Sequence, residues 1–94
     1  MDSDQISALK RALKEEGFNI YVYSYPDGMI FPMHAHEHET IHVVLSGSMK
    51  VTMDDKDHIL SPGHRFHVPA GTPHAAEVLG STPVVCLDAT RHVR

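Results

Sequence analysis

Residues 28–47, GMIFPMHAHEHETIHVVLSG, set His34, His36, His38 and His42 between Gly28 and Gly47. The run ends in a β-branched, apolar segment, TIHVVL, of the kind that packs on a pleated surface. On an extended chain the side-chain period is two, so His34 and His36 share a face and can converge on one ion. His42 lies on the same face as both, further along. A third ligand has to come from elsewhere in the chain. The stretch GHRFHVPAGTPH, residues 63–74, offers one. There His74 follows a Pro-Ala-Gly turn and opens another strand, so a closed barrel brings it back across the interior.

Working outward, the reading is of strands throughout. Segments near 18–25, 29–33, 40–45, 48–53, 57–60, 64–68, 74–79 and 83–88 are separated by PDG, SG, DDKD, SPG, PAGTP and GSTP. Short strands at close spacing with Gly and Pro punctuation are the signature of a sandwich or barrel rather than of βαβ units. Before them, DQISALKRALKEE at 4–16 puts Ile6, Leu9 and Leu13 on one helical stripe, with Asp2 or Ser3 as cap and Gly17 as stop. The expected organisation is a helix over residues 1–17, packed on the barrel or on a partner, and one β-barrel domain over 18–94.

The composition excludes several classes of function. Ninety-four residues support one compact domain, and 41% hydrophobic with 21% charged residues fits a folded chain. A formal charge of −4 gives no basic excess for nucleic acid. No apolar run approaches the roughly 20 residues of a membrane-spanning helix. One cysteine, Cys86, forms no internal disulfide, and the acidic N-terminus does not read as a signal peptide, so a cytoplasmic location is expected. The acidic run at 54–57 reads as a hairpin tip, not a calcium loop, because it lacks the Gly and Glu that an EF-hand requires.

The two histidine stretches together resemble the cupin family, whose motifs are G-x5-H-x-H-x3,4-E-x6-G and G-x5-P-x-G-x2-H-x3-N. Gly28, His34, His36 and Gly47 fit the first, and Gly63, Pro69, Gly71 and His74 fit the second. The resemblance covers about residues 18–88. It implies an all-β fold, a jelly-roll barrel of about eight strands after one short N-terminal helix, with one divalent transition metal inside. The implied ligands are His34, His36 and His74. This chain departs from the family at the carboxylate of the first motif, which is Thr40, and at the Asn of the second, which is Val78. His42 then stands either as a fourth ligand or as a residue hydrogen-bonded behind the ligands. Imidazole donors suit zinc, iron, nickel, copper or manganese.

The resemblance leaves the reaction open, because one barrel hosts many chemistries. The expectation is a metal-dependent small-molecule enzyme of dioxygenase-like type with a histidine-only centre. The alternative is a non-catalytic small-ligand binding or sensor barrel acting through a partner. The partners expected are a small molecule and a second copy in a homodimer, and neither nucleic acid nor membrane.

Overall fold

The computed structural model describes residues 1–92. Helix α1 (Ser3–Glu15) is followed by eight strands: β1 (Asn19–Tyr25), β2 (Ile30–His34), β3 (His38–Ser46), β4 (Met49–Met53), β5 (Lys56–Leu60), β6 (Arg65–Val68), β7 (His74–Val78) and β8 (Val84–His92). All strand pairs are antiparallel. They form two four-stranded sheets, ordered β1-β8-β3-β6 and β2-β7-β4-β5. This is the jelly-roll sandwich expected from the sequence, and alternate residues of each strand turn toward the facing sheet.

Apolar residues fill the molecule in two places. Val44, Met49, Val51, Leu60, Val78, Val84 and Cys86 pack together between the sheets. Leu13, Phe18, Ile41, Val43, Leu45, Leu87 and Ala89 form a second cluster under the helix. Strands β3 and β8 contribute to both clusters because they are apolar on both faces, as strands covered on two sides must be. The helix begins at Asp2, whose carboxylate accepts from the Gln5 N–H at 2.8 Å while the Gln5 side chain accepts from the Asp2 N–H at 2.9 Å. That reciprocal capping box satisfies two of the donors that a helix start leaves unpaired. Leu13 is fully buried, with Ile6 and Leu9 beside it, so the apolar stripe lies on the sheet of the same chain.

Gly47 turns the chain from β3 to β4 with φ +83°, and it does so against the start of β8. A Cβ built there would lie 2.6 Å from the Pro83 carbonyl oxygen and 3.0 Å from Val84. Only glycine fits both the left-handed backbone and the contact. Between β2 and β3, as between β3 and β4, the chain leaves one sheet and enters the other. Residues 35–37 make the first of these crossings.

Candidate metal centre

The crossing builds the site. His34 is the last residue of β2, directly opposite His74 at the start of β7 in the antiparallel register. His36 lies in the connection and not on a strand, which corrects the expectation that both histidines sit on one extended segment. They converge all the same, because the chain turns from one sheet to the other just where they fall. The Gly71 N–H donates to the His36 carbonyl at 2.8 Å, tying the turn before β7 to the crossing. Two stretches distant in sequence thereby meet at one point.

Each ring is oriented by its surroundings. A carbonyl oxygen only accepts, so His34 Nδ1 donates to the Pro32 carbonyl at 2.6 Å and His74 Nδ1 donates to the Thr72 carbonyl at 2.9 Å. In their neutral forms both rings therefore turn a bare Nε2 to the interior. His34 Nε2 lies 3.1 Å from His36 Nε2, and the ring centres of His34 and His74 are 4.4 Å apart. Donor atoms from the three residues all fall within 4.8 Å of one another. Two nitrogens each about 2.1 Å from one ion stand about 3.0–3.4 Å apart at tetrahedral or octahedral angles, so the His34–His36 spacing fits a shared metal. Burial and the neighbouring imidazoles of His34 and His74 hold His36 below the ordinary histidine pKa. Burial does the same for His74, partly offset by its bond to Thr72 and reinforced by His34 and His42. Both shifts favour the neutral ring, the form that binds metal.

His42 is placed differently. It is on β3 in the opposite sheet, its ring centre 6.5 Å from that of His74. Its Nδ1 donates to Asp88 Oδ1 at 2.6 Å, and with Cys86 and Asp88 it makes a second set of donors close enough to hold an ion, separate from the three other histidines. Thr40, where the family carries a carboxylate, is buried and lines the same cavity. Glu39 faces outward, where it accepts from Arg91 and His67. It is therefore out of reach of the centre, as the regular strand alternation required.

Asp88 is the residue that sequence reasoning missed. It is 8% exposed, and it accepts from Tyr25 Oη at 2.8 Å and from Cys86 Sγ at 3.2 Å as well as from His42. Burial alone would raise its pKa, but the hydrogen bonds from His42, Tyr25 and Cys86 outweigh it and hold the carboxyl below its ordinary value. The same burial pushes the Tyr25 phenol and the Cys86 thiol up, keeping both as donors. The available signal was the alternation Val84, Cys86, Asp88 in β8, which turns a carboxylate into an apolar interior and so demands a partner. A second omission is the wall beyond it. Tyr21, Tyr23 and Tyr25 alternate along β1 with ring centres 6.2 and 5.9 Å apart, and Phe31 meets Tyr25 edge-on at 4.9 Å.

These groups border one partly open cavity of about 400 Å³ between the sheets. His34, His36 and His74 stand on one side of it and His42 and Asp88 on the other, with the tyrosine ladder of β1 continuing the wall that carries Asp88. The volume suits a small molecule.

The conserved pattern of the cupin domain matches residues 21–90. The chain is a cupin. It is 40% identical to the quercetin 2,3-dioxygenase of Bacillus subtilis over 60 residues, which are 62% of this chain and 18% of that protein. It is 32% identical to the mannose-1-phosphate guanylyltransferase of Escherichia coli over 72 residues, 76% of this chain and 15% of that one. The cupin thus spans less than a fifth of the length of these curated relatives. Among solved structures it resembles the DMSP lyase DddQ of Ruegeria pomeroyi, with a TM-score of 0.71 and 31% identity over 79% of this chain and 38% of that one. The named activities of these relatives differ from one another. No helix among the described residues is long and apolar enough to cross a membrane.

Proposed function

We propose that this cupin holds one divalent transition metal through His34, His36 and His74 and acts on a small molecule in the adjoining cavity, as an enzyme of dioxygenase-like type. The observation that carries the reading is the convergence of three imidazoles, two of them fixed by carbonyls to offer Nε2, on the wall of a cavity able to hold a substrate. The similarity to a quercetin dioxygenase supports the reaction class. When bound, such an ion supplies Lewis acidity and, if it is iron or copper, a site for dioxygen chemistry. The protein contributes the rest. Its carbonyls orient the rings, its apolar walls restrict water, and the tyrosine ladder offers aromatic faces on which a planar substrate can stack. A homodimer and a cytoplasmic location belong to the same proposal.

The test is elemental analysis of tag-free protein, purified without chelator and then reloaded, beside a His34→Ala/His74→Ala variant. About one metal per chain in the parent and almost none in the variant is expected, followed by oxygen uptake with planar hydroxylated aromatics on the iron- or copper-loaded form. Absence of stoichiometric metal from the reloaded parent would remove the ligand assignment. Saturable ligand binding with no product across that substrate set would favour the sensor barrel.

A further inference from the structure

The wall opposite the three histidines carries chemistry that metal binding does not use. A carboxylate can only accept a hydrogen bond, so at the 2.6 Å contact with Asp88 the proton must reside on His42 Nδ1 whatever the charge of the ring. Asp88 cannot swing away, because Tyr25 and Cys86 hold it from other directions. These three residues come from β1 and β8, and the other titratable groups that face His42 are His74 and His36 across the cavity. His42 Nε2 makes no hydrogen bond to any described residue, while among the described residues no buried side-chain nitrogen or oxygen lacks a partner. That nitrogen therefore opens onto the cavity, and it offers a lone pair when the ring is neutral.

We propose that His42 is the proton acceptor of this cavity rather than a fourth metal ligand, and that Asp88, with Tyr25 behind it, is the positioning residue that keeps its Nε2 available. This rests on the three-histidine metal reading and adds the class of ligand to it: a small molecule with an acidic hydroxyl, such as an enol or catechol, that binds as its anion. The step balances within the site. The ligand O–H bond breaks, its proton forms a bond to His42 Nε2, and the electron pair stays on the ligand oxygen beside His34, His36 and His74. The imidazolium so formed sits against the Asp88 carboxylate, which offsets its charge. A carboxylate behind a histidine also serves to orient metal-binding imidazoles. The hydrogen bonds favour the acceptor role, since His42 Nδ1, Tyr25 Oη and Cys86 Sγ all donate to the Asp88 carboxylate and so close the His42, Cys86 and Asp88 set among themselves.

The test uses zinc-loaded protein with 4-nitrocatechol as probe. Calorimetry in buffers of different ionisation enthalpy counts the protons that binding releases. His42→Gln is expected to keep about one zinc per chain, to bind the probe about tenfold more weakly, and to release about one more proton per probe than the parent, because the ring no longer retains it. Nitrogen-15 spectra of the parent should show His42 with Nδ1–H and bare Nε2, and Asp88→Asn should move the proton to Nε2 with the zinc content unchanged. Loss of zinc from His42→Gln makes His42 a ligand and overturns the inference. An unchanged proton count does so as well. If the parent itself takes up no zinc, the metal reading fails separately, and the spectra of the metal-free protein decide the positioning role: an Nε2–H tautomer at His42 refutes it.

Discussion

Replacing Gly47 by alanine should damage this fold far more than the same change at Gly28, although both belong to the stretch that announces the barrel. Gly28 has φ +76° and open space where a Cβ would go, so Gly28→Ala costs only the left-handed backbone, about 1–2 kcal/mol. The stiffer unfolded chain returns about 0.4–1 kcal/mol of that. Gly47 has φ +83° and carries the same backbone cost, but its new methyl would meet the Pro83 carbonyl at 2.6 Å and two carbons of Val84 at 3.0 Å. None of the nearest atoms is the end of a flexible side chain, so β3 and β8 must part. Such overpacking costs about 1–3 kcal/mol more. Against a typical stability of about 5–15 kcal/mol, Gly47→Ala removes a large share and Gly28→Ala little. Urea unfolding followed by far-ultraviolet circular dichroism reads the difference. With a slope near 1 kcal/mol per molar, the midpoint should fall by about 1–4.5 M for Gly47→Ala and by about 1.5 M or less for Gly28→Ala, the first exceeding the second by about 1–3 M. Equal shifts would refute the close-approach argument and leave backbone conformation as the whole cost.

Acidification should destabilise the metal-free protein. His36 and His74 are depressed below the ordinary 6.5, so the unfolded chain binds their protons first as pH falls. Their contribution is fully present above about 6.5 and lost as pH drops through the folded values; a His36→Gln/His74→Gln variant measured from pH 7.5 to 5 should show a flatter curve. Asp88→Ala leaves His42, Tyr25 and Cys86 facing an empty acceptor position, and a loss of about 2–4 kcal/mol in denaturant titration is expected, against about 1 kcal/mol for Tyr25→Phe. Leu13→Ala should cost about 2–4 kcal/mol by the same measurement, because its side chain is wholly buried under the helix. Saturating zinc should raise the melting temperature of the parent and leave that of His34→Ala/His74→Ala unmoved, as binding to the native state alone requires.

The strands were legible because Gly and Pro mark nearly every turn and the segments between them are β-branched or aromatic; all eight appear within a few residues of their expected limits. The longest departure is β8, which runs on to His92 since Thr90 and Arg91 pair with β3. His34, His36 and His74 were legible as a set through motif spacing, even though the backbone that joins the first two is a crossing and not a strand. Asp88 was not legible because its meaning depends on His42, far away in sequence, and that pairing is made by strand register. The tyrosines of β1 read only as good strand formers. Their role as a wall depends on which cavity the strand borders, which composition does not encode.

His34 and His74 end strands of one sheet, whereas His36 lies on the segment that leads into the other. An ion held by all three would work as a clasp between the layers, added to the two crossing segments at 35–37 and 69–73 and the Gly71–His36 hydrogen bond that joins them. With a single cysteine, this chain has no internal covalent staple to do that work. The breathing of the mouth, and with it the entry and escape of anything inside, would then be governed by the lifetime of the nitrogen–metal bonds.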